Sequence, residues 1–325
     1  MARFPHLAVP LRAVLAAAAL GCLASFTFLG ALHAPHPHGL DLALVGTPDT
    51  TGVVAAHLEA DTPGAFDITF YETSEDAEQA VRDRDVTAAY VPGPQPELLL
   101  AGANGAMQAS TLTAIFDAAA RDDGADLAVH DVAPVPADDR AGLSPFLLVV
   151  SLTIPALVLA VLITLLGERA GLGPRVRLAA ALVGAVAVGL VNTGVADGAL
   201  DTLTGHYWQV SAVAALTVFA MTSAALALHR LFGPAGLAAA FALFLVVGMP
   251  ATGAAVGPAY LPGFFRAVTM ALPTGEAVPA VRSVQYFDGA ASAASLWLLA
   301  AWGVAGAALL VWGPRIRAQR AGAHC

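Results

Sequence analysis

The sequence predicts an α-helical polytopic membrane protein with six transmembrane helices and a small α/β extracytoplasmic domain between helices 1 and 2. Its 325 residues are 58% hydrophobic and 12% charged, and the mean hydropathy is +0.72, outside the range of soluble globular proteins. Six apolar segments contain no Asp, Glu or Arg, and each has roughly the 20 residues that a helix needs to cross a bilayer. By contrast, 19 of the 24 acidic residues lie in residues 33–144, so this stretch is predicted to fold separately in water.

The chain begins with a short basic segment, residues 1–12, and the first predicted span follows at residues 13–32. We expect residues 1–12 to be cytoplasmic and residues 13–32 to remain as a transmembrane helix. Two alternatives stay open. A basic segment before an apolar run is also typical of a cleaved signal peptide. In addition, Gly21–Cys22 resembles a lipoprotein cleavage site, although Ala19 stands where leucine is usual.

Residues 33–144 have the patterns of a soluble α/β domain. Strands are predicted at residues 40–45, a short apolar run, and at residues 66–71, where apolar and polar residues alternate, and further strands at residues 86–91, 97–101 and 127–132. Helices are predicted at residues 50–59, 74–84 and 107–121. Asp49 or Thr50 is expected to cap the first helix, and Ser74 begins a capping-box pattern at the second. A stretch of about 110 residues is long enough for a core of its own.

Residues 145–313 are predicted to form a transmembrane domain with five further helices, and residues 314–325 a cytoplasmic tail. The predicted spans are residues 145–166, 178–195, 208–228, 237–256 and 295–312. Pro155 and Pro250 predict kinks within two of them. Small residues four apart would allow helices to approach closely. They are Ala181, Ala185 and Gly189 in one span, and Gly303 and Ala307 in another.

Between the last two spans lies a proline-rich stretch, residues 258–289, which we call the broken segment. Its charged side chains include Arg266, Glu276 and Arg282. Because proline lacks an N–H and clashes with the preceding helical turn, we predict two helices of about ten residues, one after Pro262 and one after Pro273. Neither is long enough to span a bilayer. The broken segment is therefore predicted to be re-entrant or interfacial.

The arginines predict how the chain is oriented in the membrane. All 15 basic residues are arginine. Those in the segments that flank the spans on one side are Arg3, Arg12, Arg169, Arg175, Arg177, Arg230, Arg315, Arg317 and Arg320. The positive-inside rule places this side in the cytoplasm. We therefore predict a multi-pass plasma (cytoplasmic) membrane protein with both termini in the cytoplasm and residues 33–144 extracytoplasmic.

The residue types exclude several activities. Without lysine the chain can form neither a Walker A loop nor a Schiff base. The predicted spans hold no carboxylate, which argues against a proton relay and against a charged selectivity filter. Asn192 is the main polar side chain within a span, and we interpret it as a helix–helix contact, with a substrate contact as the alternative.

The histidines and cysteines do not predict a metal site. His33, His36 and His38 lie close together in sequence, but the intervening prolines favour an extended linker. Cys22 and Cys325 lie at opposite ends of the chain and form no metal motif. We predict no catalytic residue, no metal, no cofactor and no nucleic-acid partner.

Several motifs near the C-terminus follow one another in an order that resembles a known family. They are Gly248-Met-Pro250-Ala-Thr-Gly253, Leu261-Pro262-Gly-Phe-Phe-Arg266, Leu272-Pro273-Thr-Gly275 and Arg282-Ser-Val-Gln-Tyr-Phe287-Asp-Gly289. Together with one external domain after the first span, they resemble the ABC-2 type transporter permeases. The resemblance is to the YhgE/Pip-like branch of Gram-positive bacteria and to similar actinobacterial ABC transporter permeases. Residues 40–45 and 74–91 also resemble the outer domain of that family.

The resemblance implies the membrane-spanning subunit of an ATP-driven exporter. Such a permease forms a homo- or heterodimer and is coupled to a separate ATP-binding subunit, so the chain itself is not expected to be an enzyme. The loop that contacts the ATPase corresponds to residues 167–177, with Glu168, Arg169, Arg175 and Arg177. The external gate corresponds to the broken segment, with Pro262, Phe265, Arg266, Pro273, Gly275, Glu276 and Arg282. The N-terminal segment is shorter than in the family, which leaves its docking role open.

The remaining predictions concern the cargo and the overall role of the protein. An apolar interior suits a lipid-like or amphipathic cargo. A non-transporting envelope receptor or secretion-accessory protein is an alternative, in which the external domain acts and the spans anchor it. A half-sized proton-driven exporter would share the layout, but it would need a carboxylate within the membrane.

Overall fold

The fold consists of long apolar helices and one α/β sheet region. The computed structural model describes residues 5–33, 37–122, 124–136, 139, 141–253 and 257–314. In chain order the helices are α1 Pro5–Leu32, α2 Pro48–Asp61, α3 Ser74–Arg82, α4 Ala106–Asp122, α5 Ser144–Arg169, α6 Pro174–Gly198, α7 Tyr207–Phe232, α8 Pro234–Phe241, α9 Gly248–Ala251, α10 Gly263–Ala271, α11 Pro273–Tyr286 and α12 Ala293–Trp312. The strands are β1 Leu40–Val45, β2 Phe66–Tyr71, β3 Ala88–Val91, β4 Glu97–Leu100 and β5 Ala128–Asp131. His36 and most of the predicted tail, with Cys325, lie outside the described residues.

Within the described residues, six helical segments are long and apolar enough to cross a membrane. They are Val14–Leu32, Ser144–Arg169, Pro174–Gly198, Tyr207–Phe232, Pro234–Ala251 and Ala293–Trp312. Each coincides with one predicted span. The prediction of a mostly helical protein with membrane-like helices and a small α/β region is therefore confirmed.

The sheet has the strand order β2-β1-β3-β4-β5. Strands β1, β2 and β3 are parallel, β4 runs antiparallel to β3, and β5 is parallel to β4. Side chains alternate across the sheet, so Leu42 and Leu44 face α2 and α4, whereas Ala43 faces α3. We call this unit, from β1 to β5, the sheet domain.

The helix caps of the sheet domain correct two predictions. Thr47, not Asp49 or Thr50, precedes α2 as its N-cap, and its backbone N–H donates to Thr50 Oγ1 at 3.0 Å. Thr73, not Ser74, caps α3 and accepts a hydrogen bond from the Asp76 N–H at 3.1 Å. Both threonines have the extended backbone that an N-cap requires.

Helix α7 lies at the centre of the apolar helices, and α5, α6, α8, α11 and α12 all pack against it. Ala181, Ala185 and Gly189 are buried on α6, as their spacing predicted. A Cβ atom at Gly189 would lie 2.7 Å from the Ala215 nitrogen. On α12 the prediction was partly wrong, because Gly306 rather than Ala307 makes the close contact with α7: residues 303, 306 and 310 face inward.

The two prolines within spans behave differently. Helix α5 continues through Pro155. Before Pro250 the helix changes to a π-helical stretch, Ala242–Val247, and α9 then ends at Ala251. Proline has no N–H to offer the carbonyl four residues earlier, here that of Val246. That carbonyl instead accepts a hydrogen bond from Thr27 Oγ1 on α1 at 2.8 Å.

Candidate functional site

The broken segment folds into two helices, α10 and α11, which meet at Leu272–Pro273. This confirms the predicted pair of helices after Pro262 and Pro273. Pro262 is the N-cap of α10, and Pro273 is the first residue of α11, where its missing N–H costs little. The second helix is longer than predicted, because it continues through Pro279 to Tyr286.

A close backbone contact at Gly275 sets the angle between α10 and α11. A Cβ atom at this position would lie 2.7 Å from the Thr269 Cα atom and nearer still to the Thr269 carbonyl oxygen. Thr269 in turn donates its hydroxyl to the carbonyl of Ala251 at the end of α9. The helix pair is thereby tied to the end of the preceding span.

Helix α10 attaches to α1 and to the sheet domain. Phe265 is 4% exposed, and its ring centroid lies 6.4 Å from that of Phe26 on α1. Tyr260, Leu261 and Phe265 share one apolar core with residues of β1 and β2. Arg266 Nη1 donates to the His38 carbonyl at 2.9 Å. The predicted gate residues Pro262, Phe265 and Arg266 thus lie together where α1 leads into the sheet domain.

Helix α11 carries a buried arginine against the sheet domain. Arg282 is 6% exposed, and its Nη2 atom donates to the Gly142 carbonyl at 3.3 Å. Within the described part of the chain its Nε atom has no hydrogen-bond partner. Burial lowers the pKa of Arg282, and the nearby Tyr286 and Asp139 oppose that shift.

Arg84, at the end of α3, approaches the same helix from the sheet domain. It has a positive φ of 63°, its Nη1 atom donates to Ser283 Oγ, and its guanidinium lies 5.0 Å from the centre of the Phe287 ring. Burial, and then repulsion from Arg282, lower the pKa of Arg84 to about 10. No pattern in the sequence indicated that Arg84 would meet the broken segment.

Asp139, between β5 and α5 in the chain, connects the start of α5 to α11. Its carboxylate accepts the backbone N–H groups of Leu143 at 3.1 Å and Ser144 at 3.0 Å, and so caps α5. Tyr286 donates its hydroxyl to the same carboxylate at 3.2 Å. Burial and Asp139 together raise the pKa of Tyr286 well above its usual value. Asp139 lies four residues before the N-cap position at Leu143, so the pattern that marks an N-cap in a sequence does not identify it.

Other contacts of α11 are with the membrane helices. Ser295 Oγ, near the start of α12, donates to Glu276 Oε2 at 2.5 Å. Gln285 Nε2 donates to the Thr204 carbonyl, just before α7, at 2.8 Å. Glu276 and Arg282 therefore contact different parts of the chain: Glu276 binds α12, whereas Arg282 lies beneath the sheet domain.

The predicted coupling loop lies where the ends of several helices meet. Glu168 Oε1 lies 2.9 Å from His229 Nε2 at the end of α7, and Arg177 Nε donates to the Leu172 carbonyl at 3.0 Å. The side chains of Arg169 and Arg175 take no part in these contacts, and both are exposed. Two cations are thus presented at this end of the helices.

The remaining predicted polar residues have local partners. Asn192 Nδ2 donates to the Val188 carbonyl at 2.9 Å, a bond within its own helix rather than between helices. His33 Nδ1 lies 2.8 Å from the Leu29 carbonyl and closes α1. Among the described residues, no group of three or more His, Cys, Asp or Glu side chains is placed to hold a metal ion.

Comparisons with protein-family models, with curated proteins and with solved structures find no match to this chain.

Proposed function

We propose that this chain is the membrane-spanning permease subunit of an ATP-driven exporter of the ABC-2 type, which dimerises and is coupled to a separate ATP-binding subunit. The observation that carries the proposal is the broken segment. Its two short helices connect the membrane helices to the sheet domain, and it contains three of the four motifs on which the resemblance rests. An element that contacts both parts is suited to open or close an exit.

We further propose a location in the plasma membrane, with both termini in the cytoplasm and the sheet domain outside. In support, the Glu168–His229 pair and the bond from Arg230 Nε to the Gly313 carbonyl at 2.9 Å join helix ends near the exposed arginines. At the opposite ends of these helices, Asp139 joins α5 and α11 to the acidic part of the chain, and Gln285 joins α11 to the residue Thr204 before α7. An arginine-rich end and an acidic end are the arrangement that the positive-inside rule orients.

The packing suggests how ATP hydrolysis on a partner would reach the exit. Exposed Arg169 and Arg175 would bind an acidic surface of the ATPase. A shift of their loop would pass through the Glu168–His229 contact to α7. Helix α7 packs directly against α11 and α12, and packed rigid helices carry such displacements. The proposed movement therefore ends at α11, beneath the sheet domain.

A groove between α5 and α8 supports a lipid-like or amphipathic cargo. It has a volume of about 300 Å³. Its lining is entirely aliphatic or aromatic: Ile154, Leu157, Val158, Val161, Leu162, Leu237, Phe241 and Leu245. Such walls suit an acyl chain and offer no group that would bind a sugar or an ion.

The test is co-purification. Tagged protein is extracted in mild detergent from cells that express it, and the eluate is assayed for a P-loop ATPase by mass spectrometry and by ATP turnover. We expect a stoichiometric ATPase whose activity depends on its own Walker lysine. Arg169→Glu should reduce its recovery at least tenfold, since opposed like charges at an interface cost about several kcal/mol. Arg121→Glu, the same change at a side chain that is 72% exposed in the sheet domain, should leave it unchanged.

Failure to recover an ATPase, even after crosslinking in cells, would contradict the permease proposal. It would favour the second candidate, an envelope receptor or secretion-accessory protein. One observation fits that role: a cleft of about 320 Å³ in the sheet domain, whose lining includes His57, Asp61 and Phe116. If neither Arg169→Glu nor Arg121→Glu reduces recovery of the ATPase, the ATPase remains the partner, but Arg169 does not belong to the surface that binds it.

A further inference from the structure

A second cavity lies where the sheet domain meets the broken segment. Its volume is about 210 Å³. The polar and turn residues that line it come from both parts of the chain: Arg84, Thr87, Asn104, Gln108, Pro258 and Arg282. Two arginines, two residues with amide side chains and a threonine thus line one space.

The charges around this cavity are not balanced by the described residues. No carboxylate in the described ranges lies within ion-pair distance of Arg84 or Arg282. Asp139 is near, but its oxygens accept the N–H groups that begin α5 and the Tyr286 hydroxyl. A buried charge without a partner is costly, and beside the buried Arg282 the half-buried Arg84 carries a second charge of the same sign.

The Nε atom of Arg282 is a buried donor that lacks an acceptor among the described residues. The residue is only 6% exposed, yet this donor has no hydrogen-bond partner in the described part of the chain. A native protein usually satisfies such a group with a side chain, a water molecule or a ligand. An oxyanion in the cavity would lie between Arg282 and Arg84 and would supply the opposite charge that the described residues do not place beside them.

We propose that this cavity binds a phosphate group. The planar guanidinium presents its donors in a fork that matches the oxygens of phosphate, and the amide N–H groups of Asn104 and Gln108 add uncharged donors. At about 210 Å³ the cavity is smaller than the roughly 300 to 1,000 Å³ of sites for drug-sized ligands. It therefore suits one phosphate group rather than a whole lipid. The group is either free phosphate or the phosphodiester of a lipid headgroup.

Phosphate bound here would join the sheet domain to α11, because Arg84 belongs to the first and Arg282 to the second. This inference does not depend on the proposed ATPase partner. It applies equally to a permease and to a receptor. Binding to the purified chain therefore tests it alone.

The experiment is isothermal titration calorimetry of the purified full chain in detergent at constant ionic strength, since surface electrostatics are screened by salt. The probes are inorganic phosphate and dihexanoylphosphatidylglycerol below its micelle concentration, with chloride as the blank. We expect saturable binding of at least one probe. Arg84→Gln and Arg282→Gln should each weaken it by about thirtyfold or more, the loss typical for one partner of a buried charged pair. Arg121→Gln removes an arginine that is 72% exposed and should not change binding.

Each outcome of the titration either supports or overturns the proposed phosphate site. Binding of inorganic phosphate supports the proposal with a free anion as the source, and binding of the lipid alone supports it with a headgroup as the source. Since Arg282 is buried, its variant could fail to fold, so Arg84→Gln and Asn104→Ala, checked for a single gel-filtration peak, carry the decision. Heat of binding from neither probe, or binding that these variants leave unchanged, would overturn it.

Discussion

Gly275 is the residue at which the geometry of the broken segment can be tested most directly. The perturbation is Gly275→Ala, which adds one methyl group. That methyl carbon would lie 2.7 Å from the Thr269 Cα atom, whereas carbon atoms in contact prefer about 3.5–4.0 Å. Helices α10 and α11 would therefore have to separate by about 1 Å. Both contacting groups belong to the backbone, so neither can rotate away.

The magnitude follows from two opposing terms. Overpacking of this kind costs about 1–3 kcal/mol, and we take the upper value because the obstacle is backbone. Replacing glycine by alanine within a helix stabilises that helix by about 1 kcal/mol. The net loss of stability is about 2 kcal/mol, which at about 2–4 °C per kcal/mol lowers the melting temperature by roughly 4–8 °C.

The assay is thermal unfolding in detergent, followed by the fraction that remains monodisperse on gel filtration. Gly263→Ala is the matched control: it lies at the start of α10 in the same segment, and a Cβ atom there meets nothing within 4 Å. It should leave the melting temperature unchanged or raise it slightly. If Gly275→Ala were as stable as Gly263→Ala, the close contact between α10 and α11 would be wrong, and with it the structural reason for glycine in the Leu272–Gly275 motif.

Two other predictions concern α1 and the orientation of the chain. Thr27→Val removes the hydroxyl that satisfies the Val246 carbonyl and should destabilise the protein by about 1 kcal/mol, measured by the same unfolding assay. Thr153→Val should cost less, because the Thr153 hydroxyl bonds only to its own helix at 2.8 Å; equal losses would contradict the role of Thr27. In a cysteine-free background, a membrane-impermeant maleimide should label Asp85→Cys in intact cells and Arg169→Cys only after permeabilisation, and the reverse pattern would invert the proposed topology.

Much of the secondary structure could be predicted because its causes are local. Strands β1 and β2 have the predicted bounds, since β1 is a short apolar stretch and β2 has the alternation of a strand. The six long helices follow from apolar length alone. The N-caps at Thr47 and Thr73 were missed by one to three positions, because several neighbouring side chains could cap and only the backbone angles select one.

The candidate site was only partly predictable. The broken segment and its two helices follow from the proline spacing, and so does the position of Pro273 at the start of α11. The neighbours of Arg282 could not be predicted, because its hydrogen-bond partner Gly142 and the like-charged Arg84 lie far from it in sequence. The hydrogen bond of Asn192 was not predicted for a related reason: a polar side chain in a helix can bond to its own preceding turn, and sequence alone does not exclude this.

The sequence by itself determined what depends on composition and period: membrane-like helices, an acidic α/β region, and a proline-broken segment between the last two spans. Only the tertiary structure decided which residues meet across long separations. It placed Gly306 rather than Ala307 against α7, joined Thr27 to the carbonyl left free by Pro250, and brought Arg84 and Arg282 to one cavity. The physical reason is that periodicity fixes which face of an element is apolar, whereas the depth, rotation and partner of that face are set by packing among all the elements at once.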